Sequence, residues 1–487
     1  MHGCLMLQGT QSDVGKSVMT AALLRIMRQD GFKVAPFKAQ NMALNSYVTH
    51  EGLEMGRAQV MQAEAAGIVP DVRMNPVLLK PTSDVGSQVV LMGKPRKNLD
   101  AGAYENYKDE IKRIVYDAFM DLKSEYDYII LEGAGSPAEI NLMDHDIVNM
   151  GMARLINCPV LLVGDIDRGG VFASFVGTLD LLPDDRDRIK GFIINKFRGD
   201  YELLRPGLDM LKGITGLPTV GVTPYMNISL DEEDTPSVHS VSTGNDIDIA
   251  VIYLPHISNF TDFNPLLYYP GINLRYVKRE EDIGQPDVII LPGSKNTIGD
   301  LQSLRSAGIA DKITEFYNSG GIVIGVCGGY QMMGRYISDP TGVEEKGETQ
   351  GLGIFDASTV FEQDKLTVNS ADVIRDGRGI IEGLNGLEVR GYEIHMGTTR
   401  FVGGSQISKK GLISLDATGR AMGTYLHGIF ENNVFAVGLI NNIRKAKGLD
   451  PLKLKIDFRK KKEEQYDLLA QTVRKKLDMG FVYNLLK

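Results

Sequence analysis

Gly9-Thr10-Gln11-Ser12-Asp13-Val14-Gly15-Lys16-Ser17 is the stretch on which the reading of the fold turns. It follows a short apolar run, Gly3–Gln8, and precedes a helical pattern from Val18 to Arg28. A glycine-rich turn between a strand and a helix aims backbone N–H groups, and the helix's positive end, at phosphate oxygens. In that geometry Gly9, Thr10, Asp13 and Gly15 shape an ATP-binding loop. Lys16 reaches the β- and γ-phosphates, and the Ser17 hydroxyl ligates Mg²⁺. Five residues separate Gly9 from Gly15, one more than the usual loop holds. A chance Gly-Lys-Ser in a loop is the competing reading, and the strand–loop–helix setting argues against it.

Outward from this loop, the first 230 residues alternate apolar runs with helical stretches, the pattern of a parallel sheet with helices on both faces. Strands are expected at Gly3–Gln8, Lys33–Phe37, Tyr128–Glu132, Pro159–Asp165, Gly191–Asn195 and Thr219–Val222. Those centred on 130, 161 and 193 are nearly continuous apolar runs, as for strands buried on both faces. Residues 231–248 are rich in Asp, Glu, Ser, Thr and Pro and read as a linker. A second strand series begins at Ile249–Tyr253 and continues at Val288–Leu291 and Ile322–Val326; later Gly-rich and β-branched segments suggest hairpins. The organisation is therefore α/β throughout, with a P-loop parallel-sheet domain over 1–230 and a second domain over 249–440. A helical C-terminal extension follows over 441–487. Within it, the charged run Phe458-Arg459-Lys460-Lys461-Lys462-Glu463-Glu464 reads as a solvated helix face rather than a docking patch.

The second domain carries a nucleophile pattern. Ile322-Val323-Ile324-Gly325-Val326-Cys327-Gly328-Gly329-Tyr330-Gln331 is an apolar strand running into Gly-x-Cys-x-Gly-x-Gln and then a helix. A nucleophile on so sharp a turn is held in strained backbone, and flanking glycines remove side-chain clashes. The helix N-terminus favours the thiolate, and the Gly328 N–H forms half of an oxyanion hole. A second donor is expected from Gly293, in Leu291-Pro292-Gly293-Ser294-Lys295. Of seven histidines, His427 in Gly423-Thr424-Tyr425-Leu426-His427-Gly428 has the best setting for the base, with His395 as competitor. Taken singly, a cysteine is more often inert core and a histidine more often structural. The assembled pattern is far more specific.

Two resemblances follow. The longer loop, together with Ile130-Leu131-Glu132-Gly133-Ala134-Gly135, resembles the dethiobiotin synthetase branch of P-loop proteins. That resemblance implies Mg²⁺ binding at Glu132 and an adenine contact at Asn195, in Asn195-Lys196. Residues 249–440 resemble the flavodoxin-like class I glutamine amidotransferase domain. There the cysteine attacks the glutamine carboxamide, forms a glutamyl thioester and releases ammonia. Most members carry His-Pro-Glu, whereas this chain has His427-Gly428-Ile429-Phe430-Glu431, and Ile429 cannot orient an imidazole. Either the site is a Cys–His dyad, the preferred expectation, or a carboxylate such as Glu431 or Glu393 substitutes.

Composition sets the outer limits. Net charge is −9, which argues against nucleic acid as the main partner, since no cation excess exists to neutralise phosphates. No stretch reaches the roughly 20 apolar residues of a membrane span. Met1-His2-Gly3-Cys4 lacks the basic segment of a signal peptide. Three cysteines, Cys4, Cys158 and Cys327, form a sparse, odd set that fits a reduced, cytoplasmic compartment.

Longer phrases narrow the resemblance to the cobyric acid synthases. They are Pro36-Phe37-Lys38-Ala39-Gln40-Asn41-Met42-Ala43-Leu44-Asn45-Ser46, Met74-Asn75-Pro76-Val77-Leu78-Leu79-Lys80-Pro81, Asp165-Ile166-Asp167-Arg168-Gly169-Gly170-Val171-Phe172 and Gly391-Tyr392-Glu393-Ile394-His395-Met396-Gly397. The resemblance implies ATP- and glutamine-dependent amidation of the b, d, e and g carboxylates of adenosylcobyrinic acid a,c-diamide, a corrinoid. Lys38 is then a phosphate or substrate contact. Gln40, Asn41 and Asn45 either line the corrinoid pocket or merely brace the site. The alternatives are the sister enzyme that amidates the a and c groups, and a nucleotide-switched P-loop binding protein with an amidotransferase-like module.

Overall fold

The computed structural model describes residues 3–81, 86–96, 99–100, 108–226, 228, 230, 241–242, 244–402 and 406–487. Most of the expected linker, 231–240 and 243, lies outside the described residues.

The six apolar runs of the first domain form one all-parallel sheet. Its order is Thr219–Pro224, Ile189–Phe197, Val160–Asp165, Gly3–Gly9, Tyr128–Glu132, Val34–Phe37. Alternation of side chains explains why these strands are apolar throughout. Leu5, Leu7, Ile130, Leu161, Val163 and Ile193 pack on one face with Met19 and Leu23 of helix Lys16–Gln29. Met6, Ile129, Leu131, Leu162 and Phe192 pack on the other with Phe119 and Phe175. Each fully buried Leu, Ile or Phe contributes about 1.5–3 kcal/mol relative to exposure. Strand Gly3–Gly9 sits centrally, and the chain leaves it toward both sides of the sheet. Its C-terminal end is therefore the switch point, where α/β sheets bind ligands.

The second domain is built on a seven-stranded sheet. Its order is Val241–Ser242, Ile272–Val277, Ile247–Ile252, Val288–Leu291, Ile322–Val326, Ala421–Thr424, Ile413–Leu415. The inner five strands are parallel and the two edges antiparallel. The expected hairpins include a long antiparallel pair, Ala357–Val373 with Glu388–Phe401, which reaches the first domain. Two elements were not visible as strands: a small sheet containing Gln40–Met42, Val77–Pro81 and Gly86–Leu91, and the hairpin Ser46–Val48/Glu54–Gly56. Of these strands, Gln40–Met42, Ser46–Val48 and Glu54–Gly56 have three residues each, too short to show an alternation.

Helix Asn433–Ala446 runs across residue 440 and packs in the second core through Phe435, Leu439 and Ile443. Helices Phe458–Arg474 and Met479–Leu485 return to the first domain. Tyr466, Leu469, Ala470 and Val473 join the core beside helix Lys16–Gln29. Arg25 pairs with Glu463 at 2.6 Å and Asp467 at 2.7 Å. The charged run at 458–464 is thus divided by helical period. Lys460, Lys461 and Glu464 face solvent, while Glu463 docks on Arg25 and Lys462 lies 3.6 Å from Glu64. The wholly solvated face expected for it is corrected accordingly.

Among the described residues, no helix is long and apolar enough to cross a membrane.

Candidate functional site

Two chemical centres lie at the C-terminal edges of the two sheets. In the first domain the chain turns after Gly9 and enters the helix at Lys16. Gly15 caps that helix in the left-handed region at φ 93, and an added Cβ would lie 2.3 Å from Asn195 Nδ2. Only glycine serves there. Thr10 donates its backbone N–H to the Val163 carbonyl, tying the loop to the neighbouring strand at 3.0 Å. Asp13, also left-handed at φ 59, is exposed, and its carbonyl accepts from Lys196 Nζ at 2.7 Å. Lys16 Nζ curls onto the carbonyls of Gln11 and Gly135, each at 3.2 Å.

Glu132 ends the adjacent parallel strand and faces this loop. The Ser17 hydroxyl donates to its Oε1 at 2.8 Å, Lys38 Nζ lies 3.0 Å from the same oxygen, and Gln62 Nε2 donates to Oε2 at 2.5 Å. Burial disfavours the carboxylate, but Lys38 and Lys16 outweigh it and hold the Glu132 pKa below its ordinary value. An ionised carboxylate beside a hydroxyl is an oxygen donor set suited to Mg²⁺ bridged to phosphates. Among the described residues no group of three His, Cys, Asp or Glu side chains converges, so phosphate oxygens and water would complete such a shell.

Asn195 is placed differently from its expected adenine contact. Its carboxamide is buried, donating to the Val14 carbonyl at 2.8 Å and accepting from Thr223 Oγ1 at 2.7 Å. It braces the phosphate loop from the next strand but one. Lys38 is also turned inward, onto Glu132, while Gln40 keeps partial exposure. Asn41 is buried and donates to Gln59 Oε1 at 3.0 Å. Asn45 accepts from the Phe260 backbone N–H, across the domain interface, at 3.2 Å. For Asn41 and Asn45 the bracing alternative is the one the geometry supports.

In the second domain Cys327 follows strand Ile322–Val326, with φ 51 and ψ −111. This is the strained strand-to-helix turn expected of a nucleophile. The turn packs so tightly that a Cβ on Gly329 would sit 2.0 Å from the Leu291 carbonyl oxygen. His427 follows the neighbouring strand, paired to the first through Val326 and Thr424, so sheet register brings base and thiol together. Gly328 and Gly293 flank them. A Cβ on Gly328 would lie 2.8 Å from the Ser294 amide nitrogen, and one on Gly293 3.7 Å from His427 Cε1.

His427 is fully buried, and its Nδ1 lies 2.6 Å from Oδ2 of Asp262. The other Asp262 oxygen accepts from the Gly428 backbone N–H at 3.1 Å. Neither Glu431 nor Glu393 takes this place. Glu431 lies 3.9 Å from Arg57, and Glu393 accepts from Ser370 and lies 3.3 Å from His395 Nε2. The dyad expectation is therefore corrected: a carboxylate orients the imidazole, and it comes from the segment Phe260–Tyr268. No spacing rule links Asp262 to His427; the packing of the segment Phe260–Tyr268 against Ile429–Glu431, with the Phe263 and Phe430 rings 6.0 Å apart, brings them together. Burial would lower the His427 pKa, but Asp262 and the neighbouring Cys327 raise it to about 10. Its Nε2 makes no hydrogen bond among the described residues and is free to exchange a proton. Tyr392 stacks on the ring at 5.2 Å and pairs its backbone with that of His427. His395, the competitor, stacks instead on Tyr425 at 4.0 Å.

Comparison with known proteins agrees with this division. Residues 5–236 match the CobQ/CobB/MinD/ParA nucleotide binding domain, and 248–435 the CobB/CobQ-like glutamine amidotransferase domain. The chain is 52% identical to a cobyric acid synthase of Thermoanaerobacter sp. (strain X514), covering 99% of this chain and 98% of that one. The chain belongs to the cobyric acid synthase family. Two further members are each 50% identical. The Caldanaerobacter subterraneus subsp. tengcongensis protein is matched over 98% of its length, with 99% of this chain covered. That of Salmonella agona (strain SL483) is matched over 99%, with 100% of this chain covered. Membership makes this chain an ATP-dependent, glutamine-hydrolysing amide ligase, with both domains present.

Proposed function

We propose that this chain converts adenosylcobyrinic acid a,c-diamide to adenosylcobyric acid, amidating the b, d, e and g carboxylates with glutamine nitrogen. The observation that supports this most directly is the presence, in one chain, of a buried Cys327–His427–Asp262 array and a P-loop carboxylate centre at Ser17 and Glu132.

At the first centre the Cys327 thiolate attacks the glutamine carboxamide carbon, and the oxyanion that forms is held by the N–H groups around Gly328 and Gly293. The His427 imidazolium, kept charged by Asp262, delivers its proton to the departing nitrogen and ammonia is released. Water then cleaves the glutamyl thioester, giving glutamate and regenerating the thiol. At the second centre Gly9, Thr10, Asp13, Gly15 and Lys16 hold the ATP phosphates. Ser17 and Glu132 would hold Mg²⁺, which supplies positive charge against the transferring phosphoryl group. A corrinoid carboxylate oxygen takes the γ-phosphoryl group, ammonia attacks the acyl carbon, and inorganic phosphate leaves. Gln40, two residues beyond Lys38 and only partly buried, is assigned to the substrate side of this centre.

Mass spectrometry of adenosylcobyrinic acid a,c-diamide incubated with protein, Mg-ATP and glutamine tests the assignment. Four successive exchanges of hydroxyl for amino, coupled to ATP hydrolysis, are expected. An unchanged substrate in the presence of active glutaminase would move the search to another carboxylate acceptor.

A further inference from the structure

A small two-stranded sheet beside Cys327 bears on which backbone N–H groups face the reacting carbonyl. Ile257–Ser258 and Gly293–Ser294 run antiparallel, with Ile257 opposite Ser294 and Ser258 opposite Gly293. Lys295 donates its N–H to the His256 carbonyl at 3.0 Å, so by the antiparallel alternation Ile257 and Ser294 form a pair without mutual hydrogen bonds. In such a pair the N–H groups point out of the ladder, whereas that of Gly293 is turned to Ser258. Ile257 obeys the rule, donating outward to the Leu254 carbonyl at 3.1 Å. On the outward side of Ser294 stands Gly328, where a Cβ would lie 2.8 Å from the Ser294 nitrogen.

Ser294 is held from behind by a buried carboxylate. Its hydroxyl donates to Asp300 Oδ2 at 2.6 Å and accepts from the Asn296 N–H at 3.0 Å, which fixes the side chain in one rotamer. Asp300 is 0% exposed, and its Oδ1 lies 2.8 Å from His256 Nδ1. The His256 backbone N–H lies 3.3 Å from both carboxylate oxygens. One side chain thus grips both strands of the small sheet, at His256 before the first and at Ser294 in the second. Asp300 is not needed as a helix cap, because Asn296 caps helix Thr297–Ser306 by accepting from the Gly299 N–H at 3.0 Å. Burying a carboxylate is costly, and an apolar side chain would fill the same place without that cost.

We propose that the Ser294 N–H, rather than that of Gly293, is the second oxyanion donor beside Gly328, and that Asp300 is the positioning residue that fixes it. This rests on Cys327 as the nucleophile of the function proposed above. As Cys327 Sγ bonds to the carboxamide carbon, the carbonyl π pair moves onto oxygen, where the two N–H groups meet the new charge. The pair returns to the carbon–oxygen bond as nitrogen leaves with the His427 proton. Donors locked in place beforehand favour that charged state over bound glutamine, since nothing has to turn when it forms. The same grip reaches the base: Asp262 follows Ser258 by four residues, so Asp300 anchors the start of the segment that orients His427.

The test is steady-state glutamine hydrolysis by Asp300→Asn and Ser294→Ala, with alkylation of Cys327 by iodoacetamide and ammonium-driven amidation measured on the same preparations. Alkylation at a saturated carbon forms no oxyanion, so it reports on the thiol and the fold alone. In both variants kcat is expected to fall, by about 10²-fold for Asp300→Asn, with KM for glutamine little changed. Alkylation and ammonium-driven amidation are expected to be retained. Both substitutions break one hydrogen bond, so the double variant is expected to fall no further than Asp300→Asn alone. An unmoved kcat in both, a loss carried by KM alone, or alkylation slowed as much as hydrolysis would overturn the proposal. Failure of the underlying nucleophile assignment would look different: Cys327→Ser would still hydrolyse glutamine.

Discussion

Asp262 Oδ2 stands 2.6 Å from His427 Nδ1, although 165 residues separate the two in the chain. The carboxylate both selects the ring tautomer that turns Nε2 toward the thiol and keeps the imidazolium charged. Asp262→Asn is expected to lower glutamine hydrolysis by about 10²–10⁴-fold, the usual worth of a positioned acid–base group. Ammonium-driven amidation should persist, because the P-loop centre is untouched. Steady-state assays with the two nitrogen sources check this.

The same pair fixes a pH dependence. His427 is raised to about 10 because the Asp262 anion favours the protonated ring. Its charged form is therefore retained below that value and lost above it. Removing the anion moves the alkaline limb of glutaminase activity to lower pH, by about 1–3 units for loss of one adjacent opposite charge. A pH–rate profile of Asp262→Asn with an unmoved alkaline limb would count against this assignment.

At the P-loop centre, Lys16→Ala and Glu132→Gln are expected to abolish amidation from glutamine and from ammonium alike. Each removes charge stabilisation of phosphoryl transfer, a loss of about 10²–10³-fold or more. Cys327 and its partners lie in the other sheet, so glutaminase activity should remain measurable. ATP-hydrolysis and glutaminase assays on the same preparations separate the two effects.

The C-terminal helix carries a structural prediction. Leu469 is fully buried between helix Phe458–Arg474 and the first-domain core. Leu469→Ala should destabilise that domain by about 2–5 kcal/mol through lost burial and a cavity. Denaturant unfolding monitored on the first domain would show the shift, and a change below about 1 kcal/mol would mean the helix is not part of that core.

Much of this is legible in the sequence. The six strands of the first sheet announced themselves as apolar runs because both of their faces are covered. Cys327 and its glycines were legible because a nucleophile turn imposes local rules on consecutive residues. Asp262 was not, since the packing of its segment, Phe260–Tyr268, against Ile429–Glu431 places it, rather than spacing along the chain. Asn195 was legible as a polar residue at a strand end but not as a brace, and for Asn45 the sequence left substrate contact and bracing open, because their partners, Val14 and Phe260, are set by tertiary packing. The docking of Glu463 and Asp467 on Arg25 escaped for a similar reason: a charged helix face reads as solvated until its partner is known.

The most direct measurement is the fate of [amide-¹⁵N]glutamine in a buffer containing unlabelled ammonium, with Mg-ATP and adenosylcobyrinic acid a,c-diamide. The intact protein is expected to place ¹⁵N in all four new amides, whereas Cys327→Ser is expected to form the same amides from unlabelled ammonium alone. Unlabelled amides made by the intact protein, or labelled ones made by Cys327→Ser, would contradict the claim that Cys327 supplies the nitrogen that the P-loop centre uses.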